Sequence, residues 1–166
     1  TIGISKVIIK KGLKEFKGVQ RRFNKIFTYR EVSFYADYAH HPTEIKEVLS
    51  GVREAYKDHE IICIFQPHRI SRLRDLKKEF SSSFKKADSV ILCPVYAAGE
   101  KIKLGFSYNL FAKEIIKNSK VNLFLVEDQY QIAKLIKSNV YGKKIVIGMG
   151  AGTISSWIKE MPELLK

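Results

Sequence analysis

The apolar positions of this chain fall into two alternating kinds of run. Val32-Ser33-Phe34-Tyr35 alternates as a half-buried strand does. Ile45, Val48, Leu49, Val52 and Tyr56 then recur at helical spacing, with Pro42 suited to the first turn. Short apolar runs follow at 61–65, 89–93, 121–126 and 144–147. Between and after them lie helical patterns: Leu73, Leu76, Phe80 and Phe84; Leu110, Phe111 and Ile115; Ile132, Leu135 and Ile136; Ile154, Trp157, Ile158 and Met161. Strands alternating with helices imply βαβ units with right-handed crossovers. The expected fold is α/β: a doubly wound, mostly parallel, Rossmann-like sheet with helices on both faces. Residues 24–29 and 32–37, separated by only Arg30-Glu31, are predicted to open it as an antiparallel hairpin.

In such a sheet the strand-to-helix loops emerge on one rim, where open α/β sheets bind ligands. The polar residues are concentrated in those loops. Asp37-Tyr38-Ala39-His40-His41 follows the second strand, Gln66-Pro67-His68-Arg69-Ile70-Ser71-Arg72 the third, and Pro94-Val95-Tyr96-Ala97-Ala98-Gly99-Glu100 the fourth. His40, His41, His68, Arg69, Arg72, Tyr96 and Glu100 are therefore expected to share one crevice.

Composition narrows the class. With 166 residues, 45% of them apolar, the chain can bury a core of its own. No apolar run approaches the ~20 residues that span a bilayer, and no signal-peptide pattern is visible; a cytoplasmic location is expected. Cys63 and Cys93 fall inside predicted buried strands and read as reduced core residues. The net charge of +13 comes from lysines scattered over helix faces, without the aromatic interleaving of an RNA-binding surface. It favours anionic ligands over specific nucleic-acid binding. The opening segment, through residue 22, has little core of its own and reads as the end of a preceding domain and a linker; residues 23–166 form the domain proper.

Several motifs have competing readings. Gly148-Met149-Gly150-Ala151-Gly152-Thr153 follows a strand but lacks the dinucleotide spacing; a tight turn with Thr153 capping the last helix explains it better. No G-x-x-x-x-G-K-[ST] phosphate loop occurs, so any ATP chemistry needs another domain to hold the phosphates. The paired histidines have no Cys or H-x-x-x-H partner for a metal; one is expected to support the loop and the other to face the ligand. Arg69, Arg72 and Arg74 open a helix, where cations oppose the macrodipole, so they are expected to face anions rather than to form a solvated basic turn. Arg21-Arg22 is either a further anion contact or a basic linker.

Taken together, these motifs resemble the C-terminal domain of the Mur ligases. Asp37-Tyr38-Ala39-His40 before Pro42, His41-Pro42-Thr43-Glu44-Ile45, Phe65-Gln66-Pro67-His68-Arg69 with Ser71-Arg72, and Val95-Tyr96-Ala97-Ala98-Gly99-Glu100 carry the likeness in order along the chain. Phe16-Lys17-Gly18-Val19 with Arg21-Arg22-Phe23, and Gly150-Ala151-Gly152, fit it too. The fuller match is similar to the branch that joins L-alanine to UDP-N-acetylmuramate in building peptidoglycan. Ala36 stands where that branch usually has an aspartate, Ala39 where it often has glycine, and Thr153 where aspartate is frequent.

The resemblance implies the closing domain of a three-domain, ATP-dependent amide-forming ligase that works through an acyl phosphate. ATP and Mg2+ would be held mainly by a central domain, and UDP-N-acetylmuramate by an N-terminal one. By matching position, Asp37 would approach the ATP ribose. His40 would act catalytically near the incoming amine, with Tyr38 beside it, and His68, Arg69 and Arg72 would hold carboxylate and phosphate oxygens. The isolated domain is then expected to be catalytically silent. The alternatives are the relative that attaches a recycled tripeptide to the same sugar, and a non-catalytic nucleotide- or anion-binding module.

Overall fold

A computed structural model of the chain describes residues 3–15, 19, 21–100 and 106–166; Phe16-Lys17-Gly18 of the opening motif lies outside the described residues. Six strands form one sheet in the order β1-β2-β6-β3-β4-β5. They are β1 (Asn24–Tyr29), β2 (Val32–Asp37), β3 (Glu60–Phe65), β4 (Ser89–Leu92), β5 (Asn122–Leu125) and β6 (Lys144–Met149). Only β1 runs antiparallel, against β2; the other pairings are parallel. The expected hairpin is present. Arg30 and Glu31 both have positive φ, 46° and 68°, the geometry of a two-residue turn matched to strand twist.

Two apolar layers sandwich the sheet. On one face, Ile45, Leu49 and Val52 of α2 (Pro42–Ala55) join Leu73, Phe80, Phe84, Phe111 and Ile115 over Ile61, Cys63, Phe65 and Ile147. On the other, α6 (Gln129–Asn139) and α7 (Ile154–Leu164) place Ile132, Ile136, Ile154, Ile158 and Met161 against Phe34, Ile64, Cys93 and Val146. Cys63 and Cys93 are free and buried, and burial raises both thiol pKa values, that of Cys93 to about 12. By contrast, α1 (Lys6–Glu15) buries none of its residues, and Val7, Ile8 and Leu13 are exposed.

The run from Leu73 to Phe84 differs from its periodicity. It forms two short helices, α3 (Ile70–Asp75) and α4 (Lys77–Ser81), because Leu76 adopts φ −112° and ψ 27° between them. Leu76 donates back to Arg72 O at 3.0 Å and accepts from Phe80 N at 2.9 Å, so the apolar stripe continues across the break. α5 (Tyr108–Ser119) completes that face.

The winding locates the site. The loops after β2 and β3 lead to helices on one face, whereas the loop after β6, which lies between them, leads to α7 on the other. Neighbouring loops that part to opposite faces open a crevice at the strand ends.

Candidate active site

A row of rings crosses this crevice. Tyr38 meets His40 edge-on at 5.0 Å, His40 meets His68 edge-on at 5.7 Å, and His68 stacks on Tyr96 at 5.6 Å and 17°. The Arg21 guanidinium lies 4.5 Å from the Tyr38 ring centroid and donates to Gly150 O at 3.0 Å. Loops from β2, β3 and β4 thus converge as the spacing implied.

The two histidines take different roles. His41 is the N-cap of α2: its Nδ1 accepts from Thr43 N at 3.4 Å, and the Glu44 carboxylate reaches back to the His41 amide at 3.2 Å and the His40 amide at 3.0 Å. This is a capping box with histidine in the usual Ser/Thr place. Burial works against ionised Glu44, but the two amides and the nearby charges of His40 and Arg22 outweigh it and lower the carboxyl pKa. His40 instead turns its ring into the row, with Nδ1 2.8 Å from Tyr38 O. A carbonyl only accepts, so Nδ1 carries the hydrogen and Nε2 of the neutral ring keeps its lone pair.

His68 has the complementary tautomer. Arg72 Nη1 lies 3.5 Å from His68 Nδ1, and a guanidinium only donates, which leaves the hydrogen on Nε2. Burial first, then the charges of Arg72, His40 and Arg69, lower the His68 pKa, with Glu100 acting against them. The crevice therefore presents the Nε2 edge of His40 and a donor at His68, beside two guanidinium groups.

Arg69 is held in a left-handed conformation, φ 70°, by its amide donating to Tyr96 O at 2.9 Å. Such a conformation is strained for a residue with a Cβ. Its side chain is exposed and makes no hydrogen bond or ion pair among the described residues. Arg74 does not join it: it faces solvent and pairs with Asp75 at 2.8 Å, satisfying its charge locally.

Two other residues expected on the rim serve the scaffold as placed here. Asp37 is 3% exposed, and its carboxylate accepts from Phe23 N and Ala39 N, both at 2.7 Å. It fastens the entering chain to the histidine loop, and each of its oxygens keeps a further lone pair. Glu100 accepts from Ser71 N at 3.0 Å and Ser71 Oγ at 2.5 Å, which lowers its pKa. It supplies α3 with the N-terminal carboxylate that the helix lacks in its own first turn.

The glycine turn is a matter of packing, and Thr153 does not cap α7. Gln66, from the loop after β3, does so across the sheet: its Oε1 accepts from Ile154 N at 3.0 Å, and its Nε2 donates to Thr153 Oγ1 at 2.9 Å. A Cβ at Gly150 would stand 2.7 Å from Gln66 O, and one at Gly152 would stand 2.5 Å from Gln66 Oε1 and 2.6 Å from Tyr96 Cγ. Periodicity had no signal for Gln66, because its partners lie 87 and 88 positions away.

Comparison with known proteins agrees with this geometry. The family model described as Mur ligase, glutamate ligase domain, matches residues 21–152. The chain belongs to the Mur ligase family. Among relatives, it is 78% identical over 165 residues to a UDP-N-acetylmuramate–L-alanine ligase of Pelagibacter ubique, covering 99% of this chain and 36% of that protein. It is 40% identical over 164 residues to the ligase of the same name from Bartonella tribocorum, covering 99% and 34%. Among solved structures, the UDP-N-acetylmuramate–alanine ligase of Thermotoga maritima superposes with a TM-score of 0.72 at 28% identity, covering 92% of this chain and 31% of that one. The chain spans about a third of the length of these Mur ligases.

Proposed function

We propose that residues 23–166 are the C-terminal, closing domain of an ATP-dependent ligase that adds L-alanine to UDP-N-acetylmuramate. Residues 1–22 are then the end of a preceding domain and a linker, a reading supported by a helix α1 with no buried residue. The observation that carries the proposal is the meeting of His40, His68, Arg69 and Arg72 at one rim, in a chain 78% identical to a ligase of that name.

ATP with Mg2+ supplies the activation of the muramoyl carboxylate, and the absence of a phosphate loop from this sequence assigns most of their binding to the rest of the protein. Within this domain, Arg69 and Arg72 hold carboxylate or phosphate oxygens through charge-assisted bonds, and the neutral His68 adds a donor. The lone pair on His40 Nε2 accepts a hydrogen bond from the incoming ammonium and takes its proton as the amine becomes nucleophilic. Tyr38 buttresses the His40 ring. A cytoplasmic location fits these substrates, and no helix among the described residues is long and apolar enough to cross a membrane.

The test is phosphate release by the complete protein with ATP, Mg2+, UDP-N-acetylmuramate and L-alanine, and its absence with residues 1–166 alone. Turnover only with the recycled tripeptide assigns the protein to the recycling branch. Binding without turnover in either mixture makes it a nucleotide- or anion-binding module.

A further inference from the structure

Tyr96 stands at the end of the ring row with nothing in the proposed chemistry for it to do, yet its placement is among the most constrained on the rim. Its amide donates to Pro67 O at 2.8 Å and its carbonyl accepts from Arg69 N at 2.9 Å. These bonds continue the parallel β3–β4 ladder beyond the strand ends and fix Tyr96 beside His68. Beneath it, Gly152 lies so close that a Cβ there would stand 2.6 Å from Tyr96 Cγ and 2.7 Å from Tyr96 Cβ. Both are inner atoms of the side chain, and Cβ is fixed by the backbone, so neither gives way as a flexible tip does. The ring is therefore clamped between the glycine turn and the His68 imidazole, while 39% of the residue remains exposed.

A clamped ring beside the group that holds the substrate limits the room for that substrate. We propose that Tyr96, seated on Gly152, is a specificity-determining residue: a wall beside His68 that confines the amino-acid pocket to a small side chain. The proposal rests on the ligase reading above. Its energetic basis is steric. A methylene more or less in a tight pocket shifts selection by about 10–200-fold, and a wall that cannot retreat excludes a larger side chain by clash.

The experiment uses the complete protein and compares kcat/KM for L-alanine and L-valine. Tyr96→Ala is expected to reduce the alanine-to-valine ratio at least about tenfold, chiefly through a lower KM for valine. Tyr96→Phe keeps the ring and is expected to keep the ratio. Thermal melting identifies a variant that has lost its fold; Tyr96→Leu, which retains apolar bulk but not the flat ring, then replaces Tyr96→Ala. An unchanged ratio in a folded Tyr96→Ala or Tyr96→Leu variant overturns the proposal, as does loss of the ratio in Tyr96→Phe. If the unaltered protein turns over with no amino acid at all, it is the ligase reading that has failed, and the wall with it.

Discussion

Gln66 and Ile154 are joined across the sheet: the Gln66 carboxamide oxygen accepts from the Ile154 amide at 3.0 Å and so caps the last helix from another strand's loop. Ile154 is fully buried, so its amide has no solvent to turn to. Gln66→Ala is expected to cost about 1–3 kcal/mol, the penalty for a buried donor left unpaired. Chemical denaturation of the domain measures this as a lower midpoint at constant slope. Thr153→Val, which removes only the partner of Gln66 Nε2, should cost less, about 0.5–1.5 kcal/mol. Equal losses in the two variants would argue against Gln66 as the cap.

The histidines separate by readout. In the complete protein, His40→Ala is expected to lower turnover at a nearly unchanged melting temperature. His41→Ala removes an N-cap and should cost about 0.5–2 kcal/mol of stability with a smaller effect on kcat. The opposite pattern would reverse their roles.

Arg69 presents an exposed guanidinium, without a hydrogen bond or ion pair among the described residues, from a strained backbone position. Arg69→Ala in the complete protein is expected to remove a charge-assisted contact of about 1.5–3 kcal/mol. Steady-state kinetics would show roughly a tenfold to hundredfold drop in kcat/KM. Melting should hardly move; a large fall with normal kinetics would mark Arg69 as a structural tie.

His68 gives a pH dependence with a definite sign. Its folded pKa lies below the ordinary 6.5, so as pH falls the unfolded chain takes up this proton first. The contribution to stability is therefore fully present above pH 6.5 and is lost as pH drops from there through the lowered folded value. An NMR titration of the imidazole should place its midpoint below 6.5. Arg72→Ala, which removes one of the opposing charges, should move it upward. A wild-type midpoint above 6.5 would contradict the burial and charge that surround the ring.

Strands and helices were legible because burial imposes its period directly on the sequence: β1 and β2 end where alternation and the two-residue link place them. The convergence of His40, His68 and Tyr96 was legible because parallel winding brings every such loop to one rim. The break at Leu76 was not, since the residue keeps its place in the apolar stripe while leaving helical geometry. Nor were the bonds from Asp37 to Phe23, Gln66 to Ile154 and Glu100 to Ser71, which join polar side chains to main chain 14, 88 and 29 positions away and leave no periodic trace. Arg74 shows the limit of charge reasoning: expected at a helix start, it lies in the last turn of α3, where a cation suits the dipole, and a neighbouring aspartate satisfies it.

The turn at Gly150 and Gly152 also governs how this surface can respond to what it binds. With Gln66 and Tyr96 already at contact distance, the centre of the crevice has no slack and acts as a fixed anvil. Adjustment to an arriving molecule falls to groups that have freedom, above all the exposed Arg69 side chain. On the proposed reading, recognition is then a matter of flexible tips closing onto an unyielding base: substitutions at the tips should retune affinity, and a side chain placed at Gly150 or Gly152 should cost stability.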